Sequence, residues 1–564
     1  MPASKRRADI ALRRCAVLAL SLCLLVLAVT PARAQRPRVY AITGATVIVS
    51  PGQVLQGGTV VVRDGLIEAV GTDVTVPADA ETIDGDGLTV WPAFIDPYSH
   101  LGQQQPEGGG GGGFSLAALF SGQDEEDPGT GHPIELVHPQ YRVNSDLVAG
   151  DGAFEKHREI GFGSALTVPR DGIFRGSSAL IALRDTHPRD FVIKTDITTH
   201  MGFDSGQFFG GYPSDILGTV TTMRQVMYDA AQYGEWRERW QANPAMQRPP
   251  ANDALDALVA ARAGSAPPVF HSTSLRQIES SIRLADEFGA QAVVLGTGNE
   301  HEMLARLADT GVTVLVTLDF PDEPDVSSDE RLPGVSLQSL RRWEGVAGNA
   351  SKLEAAGIRF VLTPYGMGNV GKFTENLRAA IAAGLAADTA LAALTTAPAD
   401  LYGVADVLGT VEAGKIASLA IGTGAPFDED TEIRHMFVDG EHFEMEEEEQ
   451  LGDPDAVVDP RGEWAVTTTV MGNAQDATWT IEGTAGAYSG HSVGQQGEAE
   501  FESVALEGNA LTVVLAGPMG SLEATVIIDG DEFEGSASID APGGQSFSIS
   551  FKGERTSGPE GGLR

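Results

Sequence analysis

Between residues 92 and 404 short apolar strands alternate with helical stretches, and this alternation restricts the fold more than any other feature of the sequence. FGSALTV (162–168), FVIKTDITT (191–199), PPVFHS (267–272), AVVLG (292–296), VTVLVTL (312–318) and IRFVLT (358–363) read as strands. Helical spacing fills the gaps: Leu275, Ile278, Ile282, Ala285 and Phe288 recur at intervals of three and four and stop at Gly289. Strands joined through helices need crossover connections, so the sheet they build is parallel. Repeated βα units in one domain of this length predict a closed (β/α)8 TIM-type barrel rather than an open sheet. The flanks read differently. Residues 35–91 are short β-rich runs with a hairpin signal at Asp64-Gly65, and the β pattern returns over 405–443, so the two segments are expected to form one small composite β-sandwich.

Three further segments stand outside the barrel. Residues 103–132 are a Gly-rich, then acidic, insertion directly after the first barrel strand, expected to be a flap. Residues 444–460 read as an acidic linker, and 461–556 as a separate all-β domain, a sandwich or calycin-like barrel. Its opening Gly462-Glu463-Trp464 and closing Lys552-Gly553-Glu554-Arg555 resemble the start and end of a lipocalin-type barrel, which implies an apolar ligand there. At the other end, basic residues precede an apolar run from Cys15 to Thr30, and Ala32-Arg33-Ala34 follows it. That is the pattern of a secretory signal peptide over 1–34, so the chain is expected to be exported, periplasmic or secreted, with no membrane insertion after cleavage.

Cleavage there removes six basic residues and one acid, so the formal charge of −40 becomes −45, and both cysteines, Cys15 and Cys23, leave with the segment. So acidic a surface excludes nucleic acid as a partner. A cysteine-free protein has no disulfide, thiol nucleophile or thiolate metal site, which leaves histidine and oxygen ligands for any metal chemistry.

The run Gly85 to Gly102, GDGLTVWPAFIDPYSHLG, resembles the opening of amidohydrolase-superfamily barrels. ALAALTTAPADLYGVADVLGTVEAGKIASLAIGTGAPF (390–427) resembles that family's closing segment, and 212–233 with 270–296 look like its exported, imidazolonepropionase-like branch. The resemblance covers about residues 38–442. It implies hydrolysis of a non-peptide C–N bond, cyclic amide or amide-like, by a metal-bound hydroxide. It also implies ligands at strand ends: His-x-His on strand one, a carboxylated Lys or Glu on strand four, His on strands five and six, and Asp on strand eight.

This chain keeps part of that set. Asp96, Tyr98 and His100 share one face of strand one, so Tyr98 stands in the first ligand position and His100 in the second. His271 matches strand five, and His200 and Lys194 are the candidates on strand four. Gly296 occupies the strand-six position, with His301 displaced beyond it, and Pro364-Tyr365 replace the strand-eight Asp. No residue can be assigned as catalytic base from this pattern. Two readings stay open. In one, His100, His271 and His200 hold a single divalent metal, zinc by preference, with an open position for a small-molecule substrate. In the other, the barrel is silent, binds no metal and serves as a partner of a paralogous amidohydrolase, as a homo- or hetero-oligomer.

Overall fold

The computed structural model describes residues 39–558 apart from 105–129, 149, 151, 206–211, 264–266, 322, 325–334, 446–452, 454–455, 471–472, 485–486, 495–496, 518–519 and 542–544. The expected signal segment, most of the Gly-rich insertion and half of the acidic linker therefore lie outside the described residues.

The chain opens with β1 (Val39–Ser50), β2 (Gln53–Arg63), β3 (Leu66–Gly71), β4 (Ala80–Asp84) and β5 (Thr89–Pro92). Asp64 and Gly65 turn β2 into β3 with φ of 53° and 81°. Two successive left-handed residues give the hairpin turn whose twist matches its strands.

The barrel follows: β6 (Phe94–Ser99), β7 (Phe162–Thr167), β8 (Phe174–Ser177), β9 (Ala179–Ala182), β10 (Val192–Lys194), β11 (Thr199–Gly202), β12 (Val269–His271), β13 (Val293–Leu295), β14 (Thr313–Thr317) and β15 (Arg359–Thr363). β6 pairs with β7 in parallel, and β11 to β15 form a parallel run. The third stave departs from the expected (β/α)8 plan. It is the segment 174–182, interrupted at Ser178, and it runs backwards: β9 lies antiparallel to β7, and β8 antiparallel to β11. β15 comes back beside β6, where the Thr363 hydroxyl lies 2.7 Å from Asp96 Oδ1. Inside the ring, Ile95, Leu166, Leu180, Val269, Val293, Leu315 and Val361 form one buried cluster drawn from seven of the eight staves. Fully burying each such side chain stabilises the fold by roughly 1.5–3 kcal/mol, so the ring is a packed core rather than a pore.

After the barrel, β16 (Leu419–Gly422), β17 (Ile433–Val438) and β18 (Glu441–Glu444) join the opening strands. β16 pairs with β5, giving one hydrogen-bonded sheet of eight strands from both flanks of the barrel. The last eight strands, β19 (Gly462–Val470) to β26 (Gln545–Ser557), close into an antiparallel barrel in which each strand pairs with the next and β26 returns to β19. Trp464, Trp479, Phe501, Phe533 and Phe551 pack inside it. The Arg555 guanidinium lies 4.2 Å over the Trp464 ring, whose Nε1 donates to the Pro460 carbonyl at 2.9 Å. Aromatic side chains thus line the interior, and a barrel of eight strands is just wide enough to be filled by side chains or to hold one small ligand.

Candidate functional site

The reversed stave decides the chemistry of the barrel mouth. Because β8 runs against its neighbours, its first residues lie where β11 and β12 finish, the end at which barrels of this kind carry their sites. Arg175 enters there. It is 3% exposed and donates through Nη2 to Asp204 Oδ2 (2.9 Å), through Nε to the Gly172 carbonyl (3.2 Å), and through Nη1 to the Tyr98 hydroxyl oxygen (3.4 Å). Gly202, at the end of β11, makes room for it: a Cβ there would run into the guanidinium.

Tyr98 is the hub around which the predicted histidines gather. Its ring centroid lies 6.1 Å from His100, 5.8 Å from His200, 6.0 Å from His271 and 4.7 Å from Tyr365. Its hydroxyl is 3.0 Å from His271 Nδ1. His100 Nδ1 donates to the Val168 carbonyl (3.0 Å), and its Nε2 faces the Tyr365 hydroxyl at 3.5 Å. His200 is 1% exposed, and neither ring nitrogen has a hydrogen-bond partner among the described residues. All three imidazoles are held neutral. Burial, then the charges of Arg170 and Arg175, pushes His100 down to about 4. Burial followed by Arg175 does the same to His271, again to about 4, and drives His200 well below its ordinary value. Burial pushes the Tyr98 phenol up, so it stays protonated.

A metal does not fit this arrangement. The three histidines are neutral and so have the right protonation state, but a guanidinium occupies the space beside them. A divalent ion held by these nitrogens would be repelled by that fixed positive charge, and Asp204, already paired, offsets only part of the repulsion. Consistently, no group of three or more His, Cys, Asp or Glu among the described residues is placed to hold a metal ion.

The other predicted positions lie in different surroundings. Lys194 does not reach the site. The expected strand 191–199 breaks at Asp196, whose φ is 52°, and Lys194 turns outward to donate to the carbonyls of Tyr402 and Gly403 (3.3 and 2.8 Å). Asp96 faces inward, yet it is fully enclosed, accepting from the Thr363 hydroxyl (2.7 Å) and the Tyr98 N–H (3.1 Å); burial pushes its carboxyl up to about 7. Tyr365 lines the mouth, and Pro364 supplies only backbone, its carbonyl accepting from Met367 N–H. At Gly296 the place of the strand-six side chain is taken: a Cβ would meet Glu300 Oε1 at 3.1 Å and the Leu315 carbonyl at 3.0 Å. Glu300 is fully buried and accepts from the Thr297 hydroxyl (3.0 Å) and Asn349 Nδ2 (2.7 Å). His301 turns away to Asn349 Oδ1. Gly296→His is therefore expected to cost about 1–3 kcal/mol by overpacking and to add no metal affinity, as urea unfolding and zinc titration of that variant would show.

Arg175 and Asp204 were not among the sequence candidates. The sequence signal was the short apolar run ALIA (179–182) closing IFRGSSALIA, which reads as a strand once an unhelical connection from β7 is allowed.

Beside the histidine cluster a cavity of about 520 Å³ opens at the ends of β12 to β15, lined among others by His271, Thr297, Thr317, Asp319, Arg342 and Tyr365. It is of the size that takes a small molecule.

Comparison with known proteins agrees with this architecture. The amidohydrolase family model matches residues 281–472, about a third of the chain. Over 146 residues the chain is 34% identical to a dihydropyrimidinase of Arabidopsis thaliana, a match that spans 25% of this chain and only 26% of that relative. An amidohydrolase from Thermotoga maritima MSB8 shares the fold, with a TM-score of 0.58 at 22% identity over 72% of this chain and 100% of its own. Barrel, flanking sheet and family match point the same way: residues 281–472 are similar to the amidohydrolase family, and the chain shares the fold of an amidohydrolase.

Proposed function

We propose that this protein is an exported amidohydrolase-type barrel in which metal-dependent hydrolysis has given way to binding of a small molecule in the cavity at the barrel mouth. One observation carries the reading: the guanidinium of Arg175, cradled by Gly202 and paired with Asp204, stands among the histidines that would otherwise be ligands. A hydrolase of this superfamily generates hydroxide from a metal-bound water and needs a base to take its proton. Here the cation is fixed and organic. The inward carboxylate, Asp96, is sealed under Thr363 and Tyr98, away from any attacking water. Hydrolysis of a cyclic amide-like C–N bond is the competing reading, and it requires the histidines to gather around an ion against that charge.

Metal analysis separates the two. Protein purified without chelator is expected to carry no stoichiometric transition metal before or after zinc loading, and His100→Ala and His271→Ala should leave that result unchanged. One tightly held zinc per chain, lost in those variants, would overturn the binding reading.

A further inference from the structure

The reversed stave has a second neighbour besides β11. Residues 136–142, on the chain returning from the Gly-rich insertion, run along β8: Ile173 N–H donates to the Leu136 carbonyl (2.7 Å), His138 N–H to the Phe174 carbonyl (3.0 Å) and Ser177 N–H to the Tyr141 carbonyl (2.9 Å). Two glycines allow so close an approach. Both have left-handed φ, 113° at Gly172 and 107° at Gly176, and a Cβ would meet His138 Cε1 at 2.6 Å from the first and run into the Tyr141 carbonyl from the second. The His138 ring therefore lies against Gly172, with Nε2 2.9 Å from the Asp171 carbonyl and Nδ1 3.2 Å from the Glu135 carbonyl. Gly172 has two further partners. Its N–H donates to Asp204 Oδ2 (2.8 Å), the oxygen that Arg175 Nη2 also reaches, and its carbonyl accepts from Arg175 Nε (3.2 Å). One loop residue thus joins an imidazole on segment 136–142 to both members of the ion pair at the barrel mouth.

We infer that His138 is a positioning residue: by fastening loop 171–172 to segment 136–142 it holds Gly172, and through Gly172 the Arg175–Asp204 pair, in the place that keeps a metal ion from the three histidines. The inference rests on the binding reading above and names what controls its central cation. Of the three hydrogen bonds of Arg175, two end on Gly172 or on the carboxylate that Gly172 binds, and the third, to Tyr98, is the longest at 3.4 Å. Freeing loop 171–172 therefore removes most of what fixes the guanidinium. A loop tied by few bonds opens locally without unfolding the strands beside it, so the latch governs the site rather than the barrel.

The test is hydrogen exchange of the Arg175 Nε–H, followed by nitrogen-15 NMR on the full protein. That hydrogen is buried and bonded, so its exchange should be slow. His138→Ala is expected to speed it by about tenfold, the effect of one hydrogen bond lost from a loop that must open for exchange. His138→Gln, whose amide nitrogen can stand where Nε2 does, should restore most of the protection. The amides of β14 and β15, paired along their whole length, should exchange in both variants as in the unaltered protein. Unchanged exchange at Arg175 in His138→Ala would overturn the inference. So would equal acceleration in His138→Gln, or acceleration that spreads evenly to β14 and β15. These rates are read without zinc, so stoichiometric metal in the unaltered protein would sink the binding reading, whereas unchanged exchange would sink the latch alone.

Discussion

Arg175→Ala is expected to lower the stability of the barrel by about 3 kcal/mol, the lower part of the range for breaking a buried ion pair. The lower part applies because the Asp204 side chain is 37% exposed and water can resolvate it once the guanidinium is gone. Tyr98 loses its donor, and a gap opens over Gly202. The second effect is on metal. In the double variant Tyr98→His with Arg175→Ala, the strand-one His-x-His pair is rebuilt beside His200 and His271, and the charge that repelled a cation is absent. That variant is expected to bind one zinc per chain, as measured by elemental analysis after dialysis, where the unaltered protein binds none. A double variant that folds, as judged by circular dichroism, and still refuses zinc would mean that Arg175 is not what keeps metal out. Tyr98→His alone, with Arg175 in place, should stay metal-free, and this single variant isolates the electrostatic part of the argument.

The barrel and its flanks were legible because they depend on periodicity, which burial imposes on every strand and helix alike. Leu275, Ile278, Ile282 and Ala285 packed as their spacing demanded, and His100 and His271 stood where the strand-one and strand-five patterns put them. Direction was not legible. The apolar run ALIA in FRGSSALIA reads the same whether its strand runs up or down, and in the fold it lies antiparallel to β7. With that reversal came Arg175, invisible as a site residue because arginine on a strand reads as surface. Lys194 failed for a related reason: alternation was assumed to persist through Asp196, where the backbone takes a left-handed turn. Gly296 read as a lost ligand, but the position is filled from Glu300, four residues on, by a carboxylate that sequence spacing alone does not place. The site residues that could be read are those matching a pattern, and the residues that redefine the site come from the departure in topology.

The neutral histidines also set how stability depends on pH. For His100 and His271 the folded values are about 4 against an ordinary 6.5, so their contribution is present above pH 6.5 and is lost as pH falls towards 4. Each shift corresponds to about 3 kcal/mol, and His200 adds in the same direction. Asp96 works against them. Its folded value is raised from 3.8 to about 7, so its contribution of about 4 kcal/mol is present below pH 3.8 and is lost as pH rises through 7. Between pH 4 and 6.5 the unfolded chain gains at least two protons on histidine for the one that native Asp96 retains, so the histidines win and stability climbs. Above 6.5 both slopes fade together, because the protons still held by the three unfolded histidines balance the one that native Asp96 holds up to about 7. Thermal unfolding from pH 4.5 to 8.5 should therefore show a climb that levels into a plateau above about pH 7. In Asp96→Asn, which keeps an acceptor oxygen for Thr363, the climb from acid should steepen. A melting temperature that drops steadily from pH 4.5 to 6.5 in the unaltered protein would mean that the histidines are protonated in the fold, and that the site beside Arg175 is not the closed, neutral cluster described above.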